Sequence, residues 1–318
     1  MDKKHKCKLP KYKVEEIMSL DDAKEKVGWG ITAFNLPKTW ELSQGEGVVI
    51  AVLDSGCDLD HPDLINNLLP GINFVKPGNP PEDDCQHGSH CTGILVAERN
   101  DIGMVGVAPK AKVMPVKVLD KNGSGNMANV ALGIKWAVDH GADIISMSLG
   151  CPNPLQQVRK AIQYAESKGV PVFCAAGNAG ITREIMYPAA YPETIGISAI
   201  GENFDRASFT CTGPDLDFMA PGVSIFSTIP DNWYACLSGS SMAAPFVVGV
   251  AALALSYVRK KKLKVNLTCA NDYRELLKKY CMPIKNENFG GKKFYQGFGI
   301  INPTDMMNWL DIQEKFID

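Results

Sequence analysis

Three segments of the chain hold polar side chains in settings where chemistry is possible: Asp54-Ser55-Gly56, His87-Gly88-Ser89-His90-Cys91-Thr92-Gly93 and Gly239-Ser240-Ser241-Met242-Ala243-Ala244-Pro245. They offer a carboxylate, an imidazole and a hydroxyl. A serine hydroxyl is a weak nucleophile until a neighbouring base takes its proton, and histidine has the ordinary pKa suited to that task. Taken singly, each segment has a plainer reading. An Asp closing a strand is commonly a cap or turn former, a lone His a satisfied polar group, and a Ser ahead of a helix an N-cap.

Residues so far apart meet only in a fold that gathers segment ends. Apolar stretches that read as buried parallel strands run over Val48 to Leu53, Val113 to Leu119, Asp143 to Leu149, Val170 to Ala176 and Thr194 to Ala199. Helical periods lie between them at Asn126 to Asp139 and at Leu155 to Lys168, the latter ending at Gly169. This alternation predicts an α/β fold, a doubly wound and mostly parallel sheet flanked by helices. In such sheets active groups collect at the carboxyl edge, where helix N-termini face the site. Asp54 follows the first strand, Asn178 follows the strand ending at Ala176, and Ser241 precedes the apolar helix Met242 to Val258. Residues 1–24 are lysine-rich, interrupted by Pro10 and without strand character, and read as an extension of a domain spanning 25–318.

The 318 residues carry a net charge of -2, with 45% hydrophobic and 21% charged residues, as in an ordinary soluble enzyme. That balance argues against a nucleic-acid footprint. No apolar run is expected to span a membrane, and no apolar stretch of a secretory signal follows Met1-Asp2-Lys3-Lys4. The ten cysteines show no CxxC pairs, which argues against a zinc ribbon. Reduced thiols in a cytoplasmic protein are the simpler reading, and the even count leaves disulfides open for an exported one.

Read together, the three motifs, in the order Asp, His, Ser, resemble the subtilisin family of serine proteases over roughly residues 27–303. That triad order is a standard example of the family. The resemblance implies a serine endopeptidase in which Ser241 attacks the peptide carbonyl, His87 is the general base and Asp54 orients the imidazole. The Ser241 N–H and the Asn178 carboxamide, after Cys174-Ala175-Ala176-Gly177, would donate to the oxyanion. Ser240 stands where the family usually has Thr, and either hydroxyl serves as a hydrogen-bond partner. His90 falls three residues past His87, yet no further metal-ligand cluster accompanies the pair and the family places a structural histidine there. Cys91 reads as a packing residue behind the imidazole, and mercurial inhibition is expected.

The same resemblance makes Ser148-Leu149-Gly150 an edge that pairs with an extended substrate, and places Ala175, Ala176 and Gly177 along the pocket for the residue before the scissile bond. Met186 would sit at that pocket's floor, narrowing it toward smaller side chains. The loop from Glu98 to Met104 matches a calcium loop, with side-chain oxygens from Asp63 and Asn100 and carbonyls from Glu98, Ile102 and Met104. The stretch Lys8 to Met18 resembles the short N-terminal extension of bacterial intracellular subtilisins, which lies across the active site and is later removed. Their pattern runs Leu-Ile-Pro-Tyr, whereas here Leu9-Pro10 meets Lys11 before Tyr12.

Protein or peptide substrates and the chain's own extension are thus the expected partners, calcium the expected ion, and the intracellular relatives imply a homodimer. A silent peptide-binding pseudoprotease is the rival reading, to which the presence of every triad and oxyanion position gives little support. A dinucleotide-binding enzyme would need a GxGxxG turn after the first strand, which is missing.

Overall fold

A computed structural model describes residues 6–19, 24–180, 184–284 and 293–315. Met1 to His5 and Leu20 to Ala23 of the expected extension lie outside the described residues. Strands run β1 (Lys6–Lys8), β2 (Lys13–Ser19), β3 (Val49–Asp54), β4 (Ile72–Asn73), β5 (Lys112–Lys117), β6 (Ser124–Asn126), β7 (Ile144–Met147), β8 (Val172–Ala175), β9 (Thr194–Ile200), β10 (Phe218–Pro221), β11 (Ile225–Ile229) and β12 (Trp233–Ser238). Helices run α1 (Trp29–Ala33), α2 (Leu36–Thr39), α3 (His87–Val96), α4 (Met127–Asp139), α5 (Gln156–Ser167), α6 (Ser240–Lys261), α7 (Ala270–Lys278), α8 (Lys293–Gln296) and α9 (Pro303–Glu314).

The central sheet has seven strands in the order β10-β9-β8-β7-β3-β5-β4, every neighbouring pair parallel. Its inner strands are apolar because both faces are covered: β7 and β8 are wholly buried, and β3 nearly so. Two large apolar clusters lie on either side, one built on α3 and α6, the other on α4 and α5. The Asn126 side chain caps α4 by accepting from the Ala128 N–H at 2.9 Å.

Two expectations need correction. The 22-residue helix α6 is long and apolar enough to cross a membrane, contrary to the reading that no such run exists. The whole of its apolar window is buried inside the fold, so it is the core helix of the domain. It also begins at Ser240, two residues earlier than the apolar pattern marks, which puts Ser241 inside its first turn.

The N-terminal stretch, expected to lack strands, forms two. β1 pairs antiparallel with β6, and β2 pairs antiparallel with β12 at the edge of a small sheet with β11. The five leading residues of β2 are exposed, so its own hydrophobic pattern is weak. The backbone of β12 supplies the order that the side chains of β2 do not.

Asp54 ends β3 and His87 begins α3, and the two elements approach closely at Gly88. A Cβ added there would lie 2.0 Å from the Gly56 carbonyl oxygen. Gly88→Ala is expected to lower stability by about 1–3 kcal/mol, the usual effect of overpacking, together with activity. Urea unfolding measures it, and an unchanged midpoint would contradict the close approach.

Candidate active site

Asp54 and His87 are both completely buried, and the His87 Nδ1 lies 2.9 Å from Asp54 Oδ1 and 3.0 Å from Oδ2. Asp54 Oδ1 also accepts from the Ser55 N–H at 2.7 Å. A second buried carboxylate, Asp83, ties the two elements together. Its Oδ1 accepts from the Ser55 hydroxyl at 2.8 Å and its Oδ2 from the N–H and hydroxyl of Ser89 at 2.8 and 2.7 Å. The Ser55 hydroxyl in turn accepts from the Gly88 N–H at 2.9 Å. The turn after β3 and the first turn of α3 are thus one hydrogen-bonded unit, and Ser55, Asp83 and Ser89 are positioning residues that sequence reasoning missed. Their signal is faint: short polar side chains beside a motif are common in any turn.

Burial is the largest single influence and lowers the His87 pKa, but the charge and hydrogen bond of Asp54, together with the contact to Cys91, hold the imidazole well above its ordinary value. Cys91 Sγ lies 3.8 Å from His87 Nδ1 and donates to the Ser241 carbonyl at 3.4 Å. Burial raises that thiol. His90 Nε2 lies 3.0 Å from the carbonyls of Ile225 and Ala235, and burial lowers its pKa to about 3. It is a neutral strut between α3 and the β11–β12 hairpin.

The second ring nitrogen is buried as well. His87 Nε2 has no hydrogen-bond partner among the described residues. The Ser241 hydroxyl, buried in the first turn of α6, donates instead to the Ser148 carbonyl at 3.3 Å, while the Ser148 hydroxyl donates to the Ser241 carbonyl at 2.8 Å. Carboxylate and imidazole are therefore joined, and the hydroxyl is turned toward the neighbouring strand end.

Asn178 is held in one orientation by Ser240. Its Oδ1 accepts from the Ser240 N–H at 2.9 Å and the Ser240 hydroxyl at 2.8 Å, and that hydroxyl accepts from the Gly177 N–H at 3.1 Å. An N–H can donate only to the amide oxygen, so the amide nitrogen must face the other way. There Asn178 Nδ2 donates to the Lys11 carbonyl at 2.8 Å.

The rest of the N-terminal stretch follows the same cleft. Cys7 pairs with Gly125, Lys8 exchanges both backbone hydrogen bonds with Gly150, and the Leu9 N–H donates to the Gly123 carbonyl at 2.9 Å. The Tyr12 ring lies 5.2 Å from that of His87. Two strand edges thus clasp one extended segment, and its carbonyl reaches the amide of Asn178.

Comparison with known proteins agrees with this geometry. The sequence model of peptidase S8, the subtilase family, matches residues 45–299. The chain belongs to the subtilase family. It is 40% identical over 294 residues to Subtilisin E of Bacillus subtilis (strain 168), covering 91% of this chain and 73% of that protein. Thermitase of Thermoactinomyces vulgaris is 42% identical over 232 residues, 73% of this chain and 83% of its own. An intracellular serine protease of Paenibacillus polymyxa is 40% identical over 267 residues, 81% of each chain. This subtilase is accordingly a serine endopeptidase with the α/β fold of its family.

Within the subtilase cleft, Met186 lies between two glycines. A Cβ at Gly150 would lie 3.0 Å from Met186 Cβ, and one at Gly177, where φ is +110°, 2.8 Å from its sulfur. Only glycine at both positions leaves that side chain its room. Ala175 and Ala176 are buried at the end of β8, and the Met186 N–H donates to the Ala176 carbonyl at 3.0 Å. Leu149 is buried in the cluster beneath.

The loop from Glu98 to Met104 closes over Asp63. Asp63 Oδ2 accepts from the Tyr234 hydroxyl at 2.8 Å and the Met104 N–H at 3.0 Å, whereas Oδ1 is buried with no partner among the described residues. Burial raises this carboxyl. The Asn100 Oδ1 accepts from the Ile102 N–H at 3.2 Å, and Glu98 Oε2 accepts from Asn66. Glu25 was not foreseen: its Oε2 accepts from the N–H groups of Asn100 and Asp101 at 3.0 and 3.2 Å. A buried carboxylate oxygen without a partner among the described residues, within electrostatic range of the Glu25 carboxylate, fits a hard cation such as calcium.

The raised His87 pKa has a direct kinetic consequence, because only the neutral imidazole accepts a proton. The acid limb of kcat/KM is expected to lie above pH 6.5, the ordinary histidine value. A limb at or below it would contradict the charge coupling to Asp54.

Proposed function

We propose that this subtilase hydrolyses peptide bonds through Asp54, His87, Ser241 and Asn178, and that residues of its N-terminal extension hold it inactive until removed. The observation that carries this reading is the extended segment Cys7 to Lys11 lying in the cleft, its carbonyl on Asn178 Nδ2 at 2.8 Å. In a productive complex that amide would instead meet the carbonyl of the scissile bond. The Ser241 hydroxyl attacks the carbonyl carbon as His87 Nε2 takes its proton. The Ser241 N–H, at the start of α6, and Asn178 Nδ2 stabilise the oxyanion. His87 then protonates the leaving amine, and a water delivered through the same imidazole hydrolyses the acyl-enzyme. Asp54 keeps Nδ1 protonated and offsets the imidazolium charge throughout.

Ser148, Leu149 and Gly150 on one side, with Gly123 and Gly125 on the other, read the substrate main chain. Ala175, Ala176, Gly177 and Met186 form the pocket for the residue before the cut, and Met186 favours small side chains there. Pro10 in the bound segment has no N–H and a fixed φ, which disfavours the geometry a cleavable residue needs. The similarity to an intracellular serine protease supports an intracellular site of action. Calcium would be held by Asp63 and Asn100 with the carbonyls of Glu98, Ile102 and Met104, and would tie the loop to the core.

Labelling with a serine-directed phosphonate tests the nucleophile: the native chain should take up one equivalent and Ser241→Ala none. Uptake by the variant would place the nucleophile elsewhere. Deleting residues 1–22 should raise the rate on a chromogenic peptide, and equal rates would remove the inhibitory role. Chelation should lower the melting temperature by several degrees, since a ligand bound only to the folded state stabilises it. An unchanged melting curve would speak against the calcium loop.

A further inference from the structure

Two thiols face each other across the pairing that holds the extension in the cleft. Lys8 and Gly150 form an antiparallel bridge and exchange both backbone hydrogen bonds, at 3.2 and 3.3 Å. Stepping one residue back on the first strand and one forward on the second puts Cys7 opposite Cys151, at a non-hydrogen-bonded position. Residues so placed have Cα atoms about 4.5 Å apart with their side chains on one face. A disulfide spans Cα separations of roughly 4.4–6.8 Å.

The surroundings agree with the register. Cys7 and Cys151 are both buried and belong to the same apolar cluster. Burial first, and Cys151 second, push the Cys7 thiol up to about 12, so the two sulfurs lie within electrostatic reach. On the other side of Cys7 stands Gly125, where an added Cβ would lie 3.0 Å from the thiol. Cys151 donates to the Asn153 carbonyl at 3.0 Å, a weak bond that rotation about its Cα–Cβ bond gives up.

We propose that Cys7 and Cys151 form a disulfide when a low-molecular-weight disulfide is present, fastening the extension into the substrate cleft, and that reduction releases it. The proposal rests on the inhibitory reading of the extension given above. The Cys7 thiolate attacks the small disulfide and expels one thiolate. Cys151 then attacks the Cys7 sulfur of the mixed disulfide and expels the second. The two protons lost by the cysteines end on the two small thiols, which carry away the two electrons. Burial keeps both thiols protonated in the docked form. The first exchange therefore takes place with the extension out of the cleft, where a thiol has a pKa of about 8.5, and the second as the extension returns, while Cys151 is still uncovered and able to lose its proton.

The full-length chain is incubated with oxidised glutathione or with dithiothreitol, mapped by non-reducing peptide mass spectrometry, and assayed on a chromogenic peptide. Substrate is raised until it displaces an extension held without a covalent bond. The expected result is a Cys7–Cys151 cross-link, with activity at least about tenfold lower in the oxidised sample, since substrate can outcompete a segment tethered only at its far end but not one fastened inside the cleft. In Cys151→Ala the oxidised-to-reduced ratio should return to about one. Absence of the cross-link, equal activities despite it, or a loss that persists in Cys151→Ala would overturn the proposal. The inhibitory reading is settled separately, by comparing the reduced full-length chain with the form lacking residues 1–22.

Discussion

The buried contact between Asp54 and His87 is the constraint on which the rest of the structure depends. Both groups are cut off from water, so the carboxylate must find its compensation inside the protein. It finds it in the Ser55 N–H at 2.7 Å and the imidazole at 2.9 Å. Asp83, Ser55 and Ser89 then fix the spacing of β3 and α3, and the glycine contact between Gly88 and Gly56 sets how closely those elements approach. The central sheet and α6 bring Ser241 to the same edge from a distant part of the chain.

The cleft beside this pair is a slot for one extended strand. On one side lie Ser124 to Asn126, on the other Gly150, and both are edges with backbone groups to offer. Recognition through the main chain explains how a lysine-rich segment with little hydrophobic pattern of its own occupies it. The pairing of β2 with β12 continues the same logic past the reactive centre, so one covalent segment is held on both sides of it. Between the two stretches the Lys11 carbonyl meets Asn178 and the Tyr12 ring covers His87.

Much of this was legible in the residues. The parallel strands and crossover helices follow from apolar runs and helical periods, because both sheet faces are covered and the pattern has little to compete with it. Asp54, His87, Ser241 and Asn178 were legible as motifs, and the fold sets them at strand and helix ends. The strands of residues 6–19 were not, because their order comes from the backbone of β6 and β12, which no local pattern in Lys13–Ser19 encodes. Glu25 escaped notice for a similar reason: its role depends on where the chain passes Asn100, not on its neighbours. The membrane-length apolar run of α6 was misjudged because its apolar character serves burial on all sides.

Proton NMR of the selectively ¹⁵N-histidine-labelled chain tests the central pair most directly. A proton on His87 Nδ1, shared with the Asp54 carboxylate, should appear far downfield, persist through neutral pH, and vanish in Asp54→Ala. A His87 imidazole that carries its proton only on Nε2 at neutral pH, with no downfield resonance, would contradict the account.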